Sequence, residues 1–390
     1  MTKDGTQSLL GLAARLALLL IGWLSAIALT TLTPVLAQIS AYFAATPGAD
    51  AVIRGLVTSV GAAMIVGAPA GGFLSERFGE RAVLLWSLPL FALAGGAGLF
   101  LDDPWALLIS RVTLGLSVGA AGVAAAALLA NGVADADRNR WLGYFTLSGM
   151  LAGVLFTPIS GLLGSIHWRY VFPIHLIAIP MLCAIWMLVR PAGRSGSAQR
   201  SQGRQRDAFP WGIVILGMAC GVAASGLIAY LPFLFTEMGF GDPKKVATAL
   251  TSGILGSAVT AFFFGAVRRR LDVVPVFVIG FLLVAIGVGV ICLTRAYELH
   301  SIGMFFAGLG NGLLTPNLYA VATSTSPDQR ARRLGLARAG YFGAPLVAQL
   351  PFEPLAAAHG ALGVMFAITA FAIFMMGAIL LGHRRLAASG

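Results

Sequence analysis

The side chains able to do chemistry in this chain are few, and their spacing points away from catalysis. Cys183, Cys220 and Cys292 stand alone in apolar surroundings, with no CxxC pair and no Cys/His cluster that would hold a metal. No nucleophile lies beside a base, and no glycine-rich turn is placed to cradle a phosphate. What remains is charge set against hydrocarbon. Gly72-Phe73-Leu74-Ser75-Glu76-Arg77-Phe78-Gly79-Glu80-Arg81 carries four charges in ten residues between two long apolar runs. Arg111 lies well inside another apolar run, where a cation is costly and marks a cavity or a partner. Among titratable groups, His175, Glu353 and Glu237 are the ones expected near or within apolar segments, which suits proton carriage rather than bond making.

The elements that must position these groups are long and apolar. The 390 residues are 58% hydrophobic and 11% charged, with a mean hydropathy of +0.87, whereas soluble domains are about 45–50% apolar and about 25% charged. Stretches long enough to cross a bilayer, roughly 20 residues each, are predicted at 16–38, 52–72, 82–101, 105–128, 141–164, 171–190, 210–236, 245–266, 273–293, 300–323, 338–357 and 361–381. Phe43-Ala44-Ala45 is mildly cleavage-like, but eleven spans follow the first run, so that run is taken as a span and not a signal peptide. An all-α membrane protein of twelve helices is expected.

The net charge of +11 would suit a nucleic-acid partner, but its distribution does not. With the N-terminus inside, twenty Lys and Arg fall in inner segments and only Arg54, Arg169, Lys244, Lys245 and Arg295 in outer ones. That asymmetry predicts cytoplasmic termini and a surface that meets anionic lipid. Abundant Ala and an excess of Arg over Lys suggest a bacterial inner (plasma) membrane.

Five arginines among Gly, Ser, Gln and Pro between Arg190 and Asp207 sit near the midpoint and predict a linker. The expected organisation is a six-helix bundle over 1–190, a basic cytoplasmic linker over 191–208 and a second bundle over 209–390. Gly72 and Arg77 recur as Gly265 and Arg270, and Gly115 and Gly119 as Gly308 and Gly312, all offset by 193. A constant offset near half the chain reads as duplication, and six spans per repeat give both halves the same orientation.

The pattern Gly72-x-Leu74-x-Glu76-Arg77-x-Gly79-x-Arg81 resembles the loop between helices 2 and 3 of the major facilitator superfamily. The resemblance implies two parallel-repeat bundles, a substrate cavity between them near the bilayer midplane, and rocker-switch alternating access. It also implies that Glu76, Arg77 and Arg81, framed by Gly72 and Gly79, link the halves on the cytoplasmic side, with Glu76 facing the N-terminus of helix 11 near Arg338. Glu replaces the usual Asp at 76, and Glu80 stands where a base is common. Arg111, followed by Gly115 and Gly119, resembles the helix-4 arginine of the drug:proton antiporter branch; snorkelling toward Asp102 and Asp103 is the alternative. Gly149, Gly153, Thr157, Pro158 and Gly161 resemble that branch's helix-5 signature, with Thr157 and Leu162 replacing glycines; generic close packing is the alternative. Trp168-Arg169-x-x-Phe172 is a common feature of the superfamily.

Helices 1, 7 and 10 then supply the cavity candidates Thr31, Thr33, Pro34 and Gln38, Tyr230 and Phe233, and Asn311, Asn317 and Tyr319. Their aromatic, hydroxyl and amide groups suit a lipophilic or amphipathic organic molecule. The function expected is secondary active transport, namely proton-coupled export of such compounds, with Arg111, Glu353 and His175 in the coupling. The alternative is an uptake or exchange carrier for an organic anion with Arg111 binding its carboxylate. Neither an enzyme nor a receptor is expected. A small molecule, protons and the bilayer are the expected partners of a monomer that needs no cofactor, metal or nucleic acid.

Overall fold

The computed structural model describes residues 10–32, 35–47, 49–189, 211–240, 243–325 and 327–388. Every regular element among the described residues is helical. Long apolar segments suit this, because a helix closes its own backbone hydrogen bonds within one segment. In order these are α1 (Leu12–Ile21), α2 (Trp23–Thr30), α3 (Leu36–Tyr42), α4 (Ala49–Phe78), α5 (Glu80–Gly96), a 3-10 turn at Ala97–Leu99, α6 (Pro104–Asn131), α7 (Asp135–Ile166), a 3-10 stretch at Trp168–Ile177, α8 (Ala178–Leu188), α9 (Trp211–Glu237), α10 (Pro243–Arg270), α11 (Val273–Leu293), α12 (Tyr297–Thr323) and α13 (Pro327–Ala388).

Ten stretches of the described residues are long and apolar enough to cross a membrane. The last, Gln329–Leu381, holds both final predicted spans. They are divided at Gly360, whose φ of 67° is left-handed and breaks the helix. The chain restarts beyond that break with help from α9: the backbone N–H of Ala361 donates to Glu237 at 2.9 and 3.2 Å. A new helix end has unpaired N–H groups, and this carboxylate supplies their acceptor. α12 is absent from the ten because Asn311, Thr315 and Asn317 make it more polar than its neighbours.

Several boundaries differ from the hydropathy reading. The first span is divided into α1 and α2 at Gly22, and α3 follows as a separate short helix. The sixth opens as 3-10 helix across Pro173 before becoming α8. The eleventh begins at Pro327, eleven residues before the predicted start. Hydropathy stops at Arg330, Arg332 and Arg333, but arginine is a good helix former and Pro suits the first helical position. Arg338, expected at the inner surface, is therefore well inside a helix and only 3% exposed. Glu237 and Glu353, expected to be the most sheltered acids, are both exposed.

Close contacts divide the chain into two compact units that cut across the sequence halves: Met1–Val133, Phe156–Leu216 and Ala322–Ala339 form one, and Ala134–Leu155, Gly217–Val321 and Gly340–Gly390 the other. Each is held by the same device. In the first unit α4 meets the opening turns of α13. A Cβ on Gly72 would lie 2.6 Å from the Ala331 carbonyl oxygen and 2.9 Å from Arg332 Cα, and one on Gly335 would lie 2.5 Å from the Ala68 carbonyl oxygen. In the second unit α10 meets the opening turns of α7. A Cβ on Gly265 would lie 2.7 Å from Arg140 Cα, and one on Gly143 would lie 2.6 Å from the Ala261 carbonyl oxygen. Gly72 with Gly265, Ala68 with Ala261, Gly335 with Gly143 and Arg332 with Arg140 are related by offsets of 192 or 193. The internal repeat is therefore a repeat of backbone contacts, available only where no side chain intervenes.

Gly72→Ala is expected to destabilise this packing by about 1–3 kcal/mol, because the intruding methyl meets backbone and not a flexible side chain. Gly161→Ala meets nothing within 4 Å and is expected to leave stability unchanged. Thermal unfolding of the two variants in detergent micelles compares them directly; equal melting temperatures would refute the assignment.

Candidate functional site

Three of the expected site residues are brought together in the first unit. Arg111, seven positions beyond the start of α6, is completely buried. Its Nη2 donates to the carbonyls of Ala94 at 2.7 Å and Gly95 at 3.1 Å. Those carbonyls belong to the last turn of α5, where the α-helix gives way to a 3-10 turn at Ala97–Leu99. The guanidinium also lies 5.2 Å over the ring of Phe172, and Nε donates to Ser110 Oγ at 3.3 Å. Arg111 thus points into the bundle and does not snorkel outward. Nη1 alone has no hydrogen-bond partner among the described residues.

His175 packs against the same turn. It lies in the 3-10 stretch, fully buried, and a Cβ on Gly95 would collide with its ring. Its Nδ1 is 3.0 Å from the Phe172 carbonyl, so that nitrogen carries a proton. Its Nε2 faces Thr31 Oγ1 at 3.5 Å, while the Thr31 hydroxyl donates to the Ile27 carbonyl at 2.8 Å. The 3-10 winding of Trp168–Ile177 swings His175 and Phe172 onto the α5 end together.

The second half meets the same need with a different side chain. Met304 occupies the position equivalent to Arg111, but His300, one turn earlier, is completely buried. Its Nε2 lies 3.2 and 3.1 Å from the carbonyls of Ile291 and Thr294 at the end of α11. Arg111 and His300 each tie the carbonyl end of one helix to the start of the next.

The loop at 72–81 is a set of local ties. Gly79 adopts a φ of 85°, which makes the turn between α4 and α5. Arg81 caps the carbonyl end of α8, with Nε 2.5 Å from the Val189 oxygen and Nη2 3.1 Å from that of Trp186. Arg77 is exposed and lies 5.2 Å over Phe78. Glu76 is exposed on the last turn of α4. Glu80, the departure from the usual pattern, accepts from Asn131 Nδ2 at 2.8 Å. Arg330 Nη1 then donates to Asn131 Oδ1 at 2.7 Å. That chain joins α5, α6 and α13, and sequence reasoning missed Asn131 and Arg330 because neither stands in a recognised spacing.

Other expected positions are more scattered. Gly149, Gly153, Thr157, Pro158 and Gly161 all lie on α7, which runs unbroken past Pro158. Thr157 and Pro158 are exposed, and one close approach of α7 falls at Gly143. In the second unit Tyr230 is half-buried, with ring centroids 6.0 Å from Phe352 and 6.4 Å from Phe233. Glu353 is the next residue after Phe352, and Phe233 is 63% exposed. Asn317 and Tyr319 are buried and Asn311 half-buried; Asn317 Nδ2 donates to the Val273 carbonyl at 3.0 Å, tying α12 to the start of α11. Gln38 is exposed, and Thr33 and Pro34 lie outside the described residues.

At the far end of the first unit, Arg169 donates to Asp102, to Tyr42 Oη at 3.2 Å and to the Leu99 carbonyl at 3.1 Å. The Arg169 and Tyr42 hydrogen bonds hold the Asp102 carboxyl below its ordinary value of 3.8.

Long apolar helices, an internal parallel repeat and charged groups used to join helix ends define a multi-pass membrane carrier, not an enzyme. The chain belongs to the Major Facilitator Superfamily, whose family model matches residues 18–255 and 240–389. It is 26% identical to a D-xylose transporter of Levilactobacillus brevis over 65% of this chain and 63% of that protein. It is 26% identical to the multidrug export protein EmrB of Escherichia coli over 42% of this chain and 31% of EmrB. A 3-(3-hydroxy-phenyl)propionate transporter of Escherichia coli is 27% identical over 78% of each chain. The alignments thus span less than two thirds of the first two relatives. Among solved structures, the proton:xylose symporter XylE superposes with a TM-score of 0.78 at 15% identity, covering 94% of this chain and 95% of that one. The human organic anion transporter MFSD10 superposes with a TM-score of 0.75 at 18% identity, covering 94% and 99%.

Arg111→Ala leaves two buried carbonyls without a donor and opens a cavity, an expected loss on the order of 3 kcal/mol. Arg111→Lys is expected to recover part of it; the yield of monodisperse protein from membranes reads both. For Asp102 the sign is that of a depressed carboxylate. Its pairing adds stability above pH 3.8 that is lost as pH falls through the lower folded value. Asp102→Asn is expected to flatten that acid limb in melting curves taken between about pH 5 and pH 2; an unchanged limb would assign it elsewhere.

Proposed function

We propose that this protein is a secondary active transporter that exports small lipophilic or amphipathic organic compounds across a bacterial inner membrane, driven by protons. Both termini lie in the cytoplasm and the working unit is a monomer. The observation that carries the reading is the matched packing of α13 on α4 and of α7 on α10, which lies at the ends that the arginine distribution assigns to the cytoplasm. Each contact presses a helix of one sequence half, backbone to backbone, on a helix of the other. Smooth surfaces of this kind separate and re-form without repacking side chains, as alternating access requires. In this reading Glu76, Arg77 and Arg81, with Gly72 and Gly79, set how readily the contact at α4 opens.

The hydrogen-bond inventory supports His175 as the coupling group. With a proton on Nδ1 only, its Nε2 needs a donor, but the Thr31 hydroxyl proton is engaged at Ile27. A second proton lets Nε2 donate to Thr31 and satisfies all three groups at once. Glu353, beside Tyr230 and Phe233, is the second candidate carrier, and those rings with Asn311, Asn317 and Tyr319 are the candidate substrate surface. EmrB, by its name a multidrug exporter, supports the direction of transport. The organic-anion alternative, with Arg111 Nη1 on a substrate carboxylate, is kept because the 3-(3-hydroxy-phenyl)propionate transporter is similar over most of the chain.

The test is a panel of drugs and metabolites on energised everted vesicles, with and without an imposed pH gradient. Accumulation driven by an acidic interior, and lost in His175→Ala, is the expected result. Transport that ignores the gradient would remove proton coupling, and no transport of any compound would remove the reading.

A further inference from the structure

A groove between α5 and α8 is used by neither the packing nor the coupling described above. It has a volume of about 360 Å³ and is lined by Leu85 of α5 and by Leu182, Cys183 and Trp186 of α8. Leu182 and Trp186 stand one turn apart, so the groove follows the axis of α8. Cys183 and Trp186 are exposed in it, the indole by 66%.

The mouth of this apolar groove is charged. Arg81, one turn before Leu85 on the same face of α5, donates to the carbonyls of Trp186 and Val189 at the end of α8. A guanidinium has five N–H groups. Two are used here, and the others have no partner among the described residues. Arg81 is only half-buried. Glu80, the acid beside it in sequence, is engaged with Asn131. The arginine-rich stretch 190–207 follows α8 directly in the sequence, so further cations join the chain at this end. Duplication does not demand the arginine, because the equivalent position in the second repeat is Val274. Capping α8 does not demand it either, since a lysine can bond terminal carbonyls. A guanidinium can cap the helix and still present donors to a phosphate.

Cys183 lies six residues before Val189, about 9 Å along the helix. The groove therefore leads from a cation at the helix ends into hydrocarbon, as an acyl chain leads down from a headgroup. Basic pockets between spans on the cytoplasmic side take anionic headgroups, and exposed Trp is typical of the interface.

We propose that this groove seats a phospholipid of net negative charge. Arg81 takes the phosphodiester, one acyl chain lies along Leu85, Leu182 and Cys183, and Trp186 flanks the headgroup. The lipid bridges α5 and α8. Its assignment to the cytoplasmic leaflet rests on the topology of the transporter reading above.

The test uses the purified full chain in detergent, with phosphatidylglycerol, phosphatidylcholine of the same acyl chains and sn-glycerol 3-phosphate as probes. Cys220 and Cys292 are buried, so alkylation of Cys183 by N-ethylmaleimide reports on the groove. Phosphatidylglycerol is expected to slow that alkylation at concentrations where the other two probes do not. Arg81→Gln should raise the concentration for half-protection about tenfold, the loss of one charge-assisted contact, and Arg81→Lys should fall between. Because Arg81→Gln also removes the α8 cap, Cys183→Trp supplies the second arm, keeping the charge and filling the groove. It should lose the phosphatidylglycerol that wild type retains in native mass spectra, with its melting temperature in lipid-free detergent unchanged. Equal protection by phosphatidylcholine means an unselective lipid annulus and overturns the proposal. Equal protection by glycerol phosphate means a free-anion site and overturns it as well. So does protection of Arg81→Gln at the wild-type concentration, or phosphatidylglycerol retained by Cys183→Trp. Binding is read without transport, so a chain that seats the lipid selectively yet moves no compound sinks the transporter reading and supports this one.

Discussion

Everything in this architecture depends on helices approaching closer than side chains allow. Lipid removes the hydrophobic driving force between helices, so association relies on dispersion contacts and on polar groups shared at close range. Gly72 and Gly335 put α4 and α13 in backbone contact, and Gly265 and Gly143 do the same for α10 and α7. At that distance carbonyls and N–H groups lie against one another, and a single methyl is enough to hold the surfaces apart.

Charge in the spans serves the points that glycine contacts cannot. A helix that ends inside the bundle leaves carbonyls exposed to a medium without water. Arg111 fills that vacancy for α5, and His300 fills it for α11. The two repeats therefore share the requirement and differ in the residue that meets it. Arg111 meets a local need at the α5 end, and His175 packs against the same turn. Glu237 performs the opposite task, offering acceptors to the N-terminal N–H of the last helical segment after Gly360. Arg81 closes α8 in the manner of Arg111.

The loop at 72–81 shows how a recognised pattern acquires meaning only from its neighbours. Gly72 is needed for the approach of α13 and Gly79 for its positive φ. Glu80 looks like a defect when read as a departure from the superfamily's pattern. Its hydrogen bond to Asn131, which also accepts from Arg330, makes it part of a polar chain across three helices. Asn131 and Arg330 are 199 residues apart, and no spacing rule links them.

The sequence by itself determined the membrane class, the location of nearly every span and the twofold repeat. Those properties are written in local composition and in a constant offset, which need no knowledge of partners. It also singled out Arg111, His175 and Thr31, because polar groups in apolar runs are conspicuous. Only the tertiary structure decided what those groups touch. It turned Arg111 inward to the end of α5, moved Arg338 from an expected surface position to a buried one and made Glu237 a helix cap. The physical reason is that hydropathy measures the cost of a charge in lipid but not the contact that offsets it. That contact comes from residues distant in the chain: Gly122 and Ser25 for Arg338, Gly360 and Ala361 for Glu237. Their positions are fixed only when the helices have packed.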